Sequence, residues 1–96
     1  MRIEWRDKAL EELQGIYDYI YIKSPQNAEN MLNEILALAE SLVDFPFKFP
    51  KEPYYNQDNT RFAIKWSYKM IYRVEKERII IVRVFDCRQN PNKLQK

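Results

Sequence analysis

The chain of 96 residues contains no histidine, one cysteine and one glycine. Without histidine it lacks the side chain whose ordinary pKa best suits proton transfer near neutrality, so any acid–base chemistry falls to Lys, Arg, Tyr or a carboxylate. The lone Cys87 cannot form an internal disulfide, which fits a reducing cytoplasm. With no histidine beside it, Cys87 is expected to be a small buried apolar residue rather than a nucleophile. One cysteine and no histidine make zinc unfavourable, and no metal or other cofactor is expected. No apolar run approaches the roughly 20 residues of a membrane span. The opening MRIEWRDK lacks the apolar stretch of a signal peptide. The expectation is one cytoplasmic domain over residues 1–96, with no membrane partner.

What is present is apolar and aromatic enough to fold: 46% hydrophobic and 15% aromatic residues. Arg2–Arg6 alternates in polarity, a short half-buried strand. Asp7 then stands where a helix cap belongs, and Ala9, Leu10, Leu13, Ile16, Tyr17 and Ile20 follow at helical spacing. Gly15 falls inside this helix, where close packing against a neighbour is the expected reason for it. Tyr17, Tyr19 and Tyr21 are expected on different helix faces. Ser24-Pro25 starts a second helix, with Ser24 as N-cap and Pro25 at the first helical position. Its apolar stripe is Ala28, Met31, Leu32, Ile35, Leu38, Ala39 and Leu42, and it ends near Asp44 because Pro46 pushes the preceding residue out of the α region.

Residues 45–59 carry Pro46, Pro50 and Pro53 and read as a loop whose rings pack onto the fold. Lys48 and Lys51 within it could contact phosphate beside stacking rings, but a packed loop with lysines in water accounts for them more simply. Three strands follow, Arg61–Trp66, Tyr68–Glu75 and Arg78–Phe85, and then a polar tail, Arg88–Lys96. The fold class is therefore α+β, in the order β-α-α-β-β-β: a small antiparallel sheet covered on one face by an antiparallel helical hairpin.

Charge is sorted along the chain. Residues 61–96 hold ten Lys or Arg against three acids, and residues 1–60 hold six against eleven. Period-2 placement sets Arg61 and Lys65 on one face of their strand, and Lys69 and Arg73 together on the next. Singly, each is an ordinary solvated strand position. Their segregation favours one basic patch of Arg61, Lys65, Lys69 and Arg73 on the open sheet face, joined by Arg83 and Arg88, that binds phosphate or an acidic protein. Arg88 ends the last strand, free to reach a phosphate or to pair with Asp86. Tyr68 and Tyr72 are expected to be core or sheet residues that stay protonated.

Over nearly its whole length the chain resembles the RelE/ParE superfamily of toxins from bacterial type II toxin–antitoxin systems. The resemblance lies in the WRDKALEELQGIYDYI and PQNAENMLNEILALAESLVDFP helices and in the block YKMIYRVEKERIIIVRVFDCRQNP. It implies a compact toxin wrapped by a cognate antitoxin, with exposed apolar surface beside the basic patch receiving the antitoxin. Two mechanisms come with it. RelE-like members cleave mRNA on the ribosome with Lys and Arg and a Tyr or His as acid or base, whereas ParE-like members poison DNA gyrase.

Residue by residue, Arg88 matches the family's strand-end arginine and Arg61 the basic residue at the start of the second strand. Lys69 stands where RelE-like enzymes carry arginine, keeping the charge and losing the bidentate fork. Lys65 lies near the lysine pair of those enzymes. If the chain were a ribonuclease, Arg61, Lys65, Lys69 and Arg88 would be its catalytic set. Past Arg88, however, the tail has neither Tyr nor His. The resemblance is therefore nearer the ParE branch, and a non-catalytic toxin is the expectation.

Overall fold

The structure, a computed structural model, describes residues 1–88, so the tail expected after Arg88 lies outside the described residues. Its elements are β1 (Arg2–Trp5), α1 (Asp7–Lys23), α2 (Pro25–Ser41), β2 (Thr60–Lys65), β3 (Tyr68–Val74) and β4 (Arg78–Asp86). No helix among the described residues is long and apolar enough to cross a membrane.

Ser24 alone joins the helices. Its backbone N–H caps α1 through the Ile20 carbonyl, and its side-chain oxygen accepts from the Asn27 N–H at the start of α2. Asp7 does not cap α1. Arg6 holds the N-cap position without a side-chain bond, and Asp7 is the first helical residue, where its charge complements the helix dipole.

The sheet order is β1-β4-β3-β2. The strands β2, β3 and β4 form the expected antiparallel meander. β1 departs from the expectation of a wholly antiparallel sheet, because it pairs parallel to β4, Arg2 beside Arg78 and Trp5 beside Ile81. Such a pair needs a long crossover, which the helical hairpin and the loop supply. Ile71 stands opposite Arg83 and Tyr72 opposite Ile81, which leaves Val82 as an extra residue bulging from β4.

One face of the sheet is sealed by the helices. Ala9 of α1 and Ala39 of α2, with Leu42 just beyond α2, pack with Met70, Tyr72, Val74, Ile79, Ile81 and Val84. Leu13, Met31 and Ile35 fill the seam between the helices. Ile71, Ile80 and Val82 are buried on the other face under Phe62, Phe85 and Tyr55.

Residues 45–59 clasp β2 from one face to the other. Phe49 packs into the helix-side core. Lys51 then bridges Arg61 as a short extra edge, with Glu52 N–H to Thr60 O at 2.9 Å and Phe62 N–H to Pro50 O at 3.1 Å. Tyr55 closes over the far face. The fully buried Tyr72 donates its hydroxyl to Pro46 O at 2.7 Å, and burial pushes its pKa up to about 12. Tyr72→Phe is expected to lower stability by about 1 kcal/mol, the worth of a buried hydrogen bond. Urea unfolding followed by circular dichroism checks this.

Candidate functional site

The six basic residues that the sequence singles out do not form one patch. Register decides their faces. Arg61 stands opposite Tyr72 and Lys65 opposite Tyr68, and both tyrosines pack toward the helices. Lys69 and Arg73 alternate with these on β3 and share the far face with Ile71. The expected patch of Arg61, Lys65, Lys69 and Arg73 is thus split across the sheet.

Most of these cations already have partners. Arg61 donates from Nε to Asp58 O (2.9 Å) and from Nη1 to Phe49 O (3.2 Å), with its guanidinium over the Phe47 ring. It fastens the loop. Lys65 reaches Glu34 of α2 at 2.9 Å, an exposed pair worth little. Lys69 pairs with Glu52, lying over the Phe62 ring, and the other Glu52 oxygen accepts the Tyr54 and Tyr55 N–H groups. Glu52 is 1% exposed, a buried carboxylate that only this lysine and the loop backbone make tolerable. Arg73 Nε is buried with no hydrogen-bond partner among the described residues.

Arg83 is buried at the β4 bulge and bonds Glu12 of α1, from Nε at 3.0 Å to both oxygens and from Nη2 at 2.7 Å. The same carboxylate accepts the Val84 N–H at 3.0 Å, capping β4 beyond the point where β1 ends. Arg88 bonds Asp86 through Nε (3.0 Å) and Nη2 (2.6 Å), which raises its own pKa and holds that of Asp86 below the usual carboxylate range. The pair is lopsided: 75% of the Arg88 side chain is exposed against 14% of Asp86.

Beside Arg88 a cleft of about 480 Å³ lies between α1 and the end of β4, lined among others by Glu12, Gly15, Tyr19, Tyr68 and Asp86. A second cleft, about 370 Å³, lies across Tyr68 and is walled by Ile20, Asn27, Asn30 and Trp66. Burial raises the Tyr68 pKa, followed by the charge of Asp86, so its hydroxyl stays protonated.

Three further expectations change here. A Cβ on Gly15 would meet nothing within 4 Å, so close packing does not explain this glycine, although glycine costs a helix interior about 0.5–1 kcal/mol relative to alanine. Tyr17 and Tyr21, one turn apart, stack at 5.7 Å between ring centroids, leaving Tyr19 apart from them. Cys87 is exposed rather than buried. Sequence reasoning also passed over Glu12, Glu52 and Trp66. Trp66 has φ 56°, a left-handed conformation that costs a bulky residue on the order of 1–3 kcal/mol. The expected strand Arg61–Trp66 ends one residue earlier, at Lys65, so that Trp66 and Ser67 form a two-residue turn of a kind that favours Gly or Asn.

Two outcomes test this geometry. Glu12→Ala removes the carboxylate that the buried Arg83 and the Val84 N–H bond, and is expected to cost about 3 kcal/mol, read by urea unfolding. The Asp86 carboxyl is lowered in the fold, so its pairing with Arg88 stabilises the protein fully above the ordinary carboxyl pKa. That contribution disappears as pH falls through the lower folded value. Asp86→Asn is expected to lower the melting temperature above the ordinary carboxyl pKa and to flatten this part of the acid limb of the profile.

The family model described as "ParE toxin of type II toxin-antitoxin system, parDE" matches residues 3–91. A solved structure titled "Chromosomal ParDE TA system from P. aeruginosa" superposes with a TM-score of 0.73 at 22% identity, covering 90% of this chain and 95% of that one. That likeness carries the fold. No curated protein sequence matches the chain significantly.

Proposed function

This chain belongs to the family of ParE toxins of type II toxin–antitoxin systems, and on that premise we propose that it arrests growth in the cytoplasm by binding DNA gyrase. A cognate antitoxin neutralises it, and it does not cleave RNA. The observation that carries the reading is the state of the sheet's cations. Lys69 is held by buried Glu52, and Arg83 by Glu12. Cleavage through a ribose 2′-hydroxyl needs one group to take a proton and another to give one, together worth roughly 100- to 10,000-fold or more in rate. A lysine engaged with a buried carboxylate is not free to approach a ribose hydroxyl. Tyr72, with its pKa pushed up to about 12, is a poor base.

What the surface offers instead is Arg88, Tyr19 and Trp66, the residue types that dominate protein–protein contacts. Among the six cations, Arg88 is the one that projects furthest into solvent from a pair at the surface, and it is the residue on which target binding is proposed to turn. The proline loop adds Phe45 and Phe47, both exposed.

Induction of the gene in bacteria is expected to arrest growth with a DNA-damage response and intact mRNA. Arg88→Ala should weaken the arrest at least tenfold in the inducer needed, with the circular dichroism spectrum of the wild-type fold and a melting point lowered only by the lost pair with Asp86. Codon-dependent cleavage by the purified protein on ribosomes, lost in Lys69→Ala, would return the ribonuclease reading. Absence of any growth effect would leave an antitoxin-binding protein without toxicity.

A further inference from the structure

Two residues are poor choices for the isolated fold, and they line neighbouring clefts that share Tyr68. Gly15 interrupts α1 with nothing within 4 Å of where its Cβ would be, so the fold gains no packing from its smallness. Trp66 holds a left-handed φ of 56° at a turn where Gly or Asn would be free of strain, and the residue is 55% exposed, so the fold gains little from its size. Gly15 lines the larger cleft and Trp66 the smaller, and Tyr68 lines both. Tyr68 therefore links the two clefts, and Tyr19 and Arg88 line the larger one.

Each feature has a use only with a second molecule present. A helical glycine opens the backbone of α1 to close approach by another chain. An exposed tryptophan beside a tyrosine supplies rigid apolar area to an interface. Charge indicates the partner. Asp86 takes the Nε–Nη2 edge of the Arg88 guanidinium, and the remaining Nη1–Nη2 edge has no partner among the described residues. The exposed member of that pair is the cation, on a chain with a net charge of +2. A complementary partner brings a carboxylate.

We propose that the Gly15–Trp66 surface is where the cognate antitoxin docks, through one segment that crosses α1 at Gly15, lays an apolar side chain between Tyr68 and Trp66, and sets an acidic residue on the outer edge of Arg88. This rests on the toxin–antitoxin reading above. It also gives neutralisation a physical form, because the segment covers the arginine on which target binding turns.

The test uses the full chain carrying Gly15→Gln or Trp66→Asn, and the full-length product of the reading frame adjoining its gene. Removing a helical glycine, or relieving a left-handed tryptophan, is expected to leave the melting point equal to wild type or higher. Affinity for the antitoxin by calorimetry is expected to fall at least tenfold in each. Gly15→Ala, which adds one methyl group, is expected to raise the melting point with a smaller loss of affinity, and it serves in place of Gly15→Gln if that chain does not fold. Unchanged affinity in stable variants overturns the proposal and leaves the toxin reading intact. So does loss of growth arrest with full antitoxin binding, which assigns the surface to the target, or a change of oligomeric state on gel filtration, which assigns it to a second copy. A wild-type chain that neither binds the adjoining product nor arrests growth overturns both readings.

Discussion

Two helices can cover only one face of a four-stranded sheet, and everything else in this fold answers to that limit. The central strand β4 is apolar on both sides, with Ile79, Ile81 and Val84 toward the helices and Ile80 and Val82 away from them. The helical hairpin seals the first set. The second set has no helix, so the cover is assembled from Phe62 and Phe85 on the sheet and from Tyr55, delivered by the loop that wraps β2. The prolines stiffen that loop, Arg61 ties it to the strand, and Glu52 carries its turn inward to Lys69. A buried ion pair is an expensive device. Its place here is intelligible because it anchors a strap that lacks a regular ladder of its own.

The division of charge along the chain acquires a different meaning in three dimensions. The acid-rich first sixty residues and the base-rich remainder are not two separate fields. Glu12 meets Arg83, Glu34 meets Lys65, Glu52 meets Lys69, and Glu4 meets Arg78 at 2.7 Å. Each pair joins an early part of the chain to the late sheet. Segregation in sequence has become neutralisation in space, and it pins helix and loop to strand at defined points. The long-range field of the sheet is correspondingly weaker than its count of arginines implies, and Arg88, whose acid lies two residues away, keeps the most open position.

Periodicity carried much of the architecture. The apolar spacing of Leu13 and Ile16 in α1, and of Met31, Ile35 and Ala39 in α2, marks the faces that do pack, and alternation marks β2, β3 and β4. What alternation cannot give is register between strands. It told correctly that Arg61 and Lys65 share one side of β2, but not that this side meets Tyr72 and Tyr68 under the helices. A shift by one residue would have reversed the answer. Nor does alternation survive the Val82 bulge, which moves Arg83 from the side of Ile79 and Ile81 to stand opposite Ile71, while its guanidinium still bonds Glu12 of α1. Glu12 and Glu52 were invisible because an acid on an exposed-looking helix face, or in a loop, differs from a buried one only through a partner distant in sequence. Gly15 was noticed and misread, since a sequence shows that a side chain is missing but not whether anything fills the space.

The parallel pairing of β1 with β4 also sets the order in which the molecule is made. Arg2 waits for Arg78, so the first strand emerges from the ribosome before every other element and finds its neighbour only after all of them. Until β4 arrives, the apolar faces of α1 and α2 have no sheet centre to close on, and β3 lacks one of its two neighbours. The fold therefore forms late and from distant contacts, a slow topology that leaves hydrophobic surface uncovered during synthesis. Late closure therefore delays the finished surface until β4 has been made.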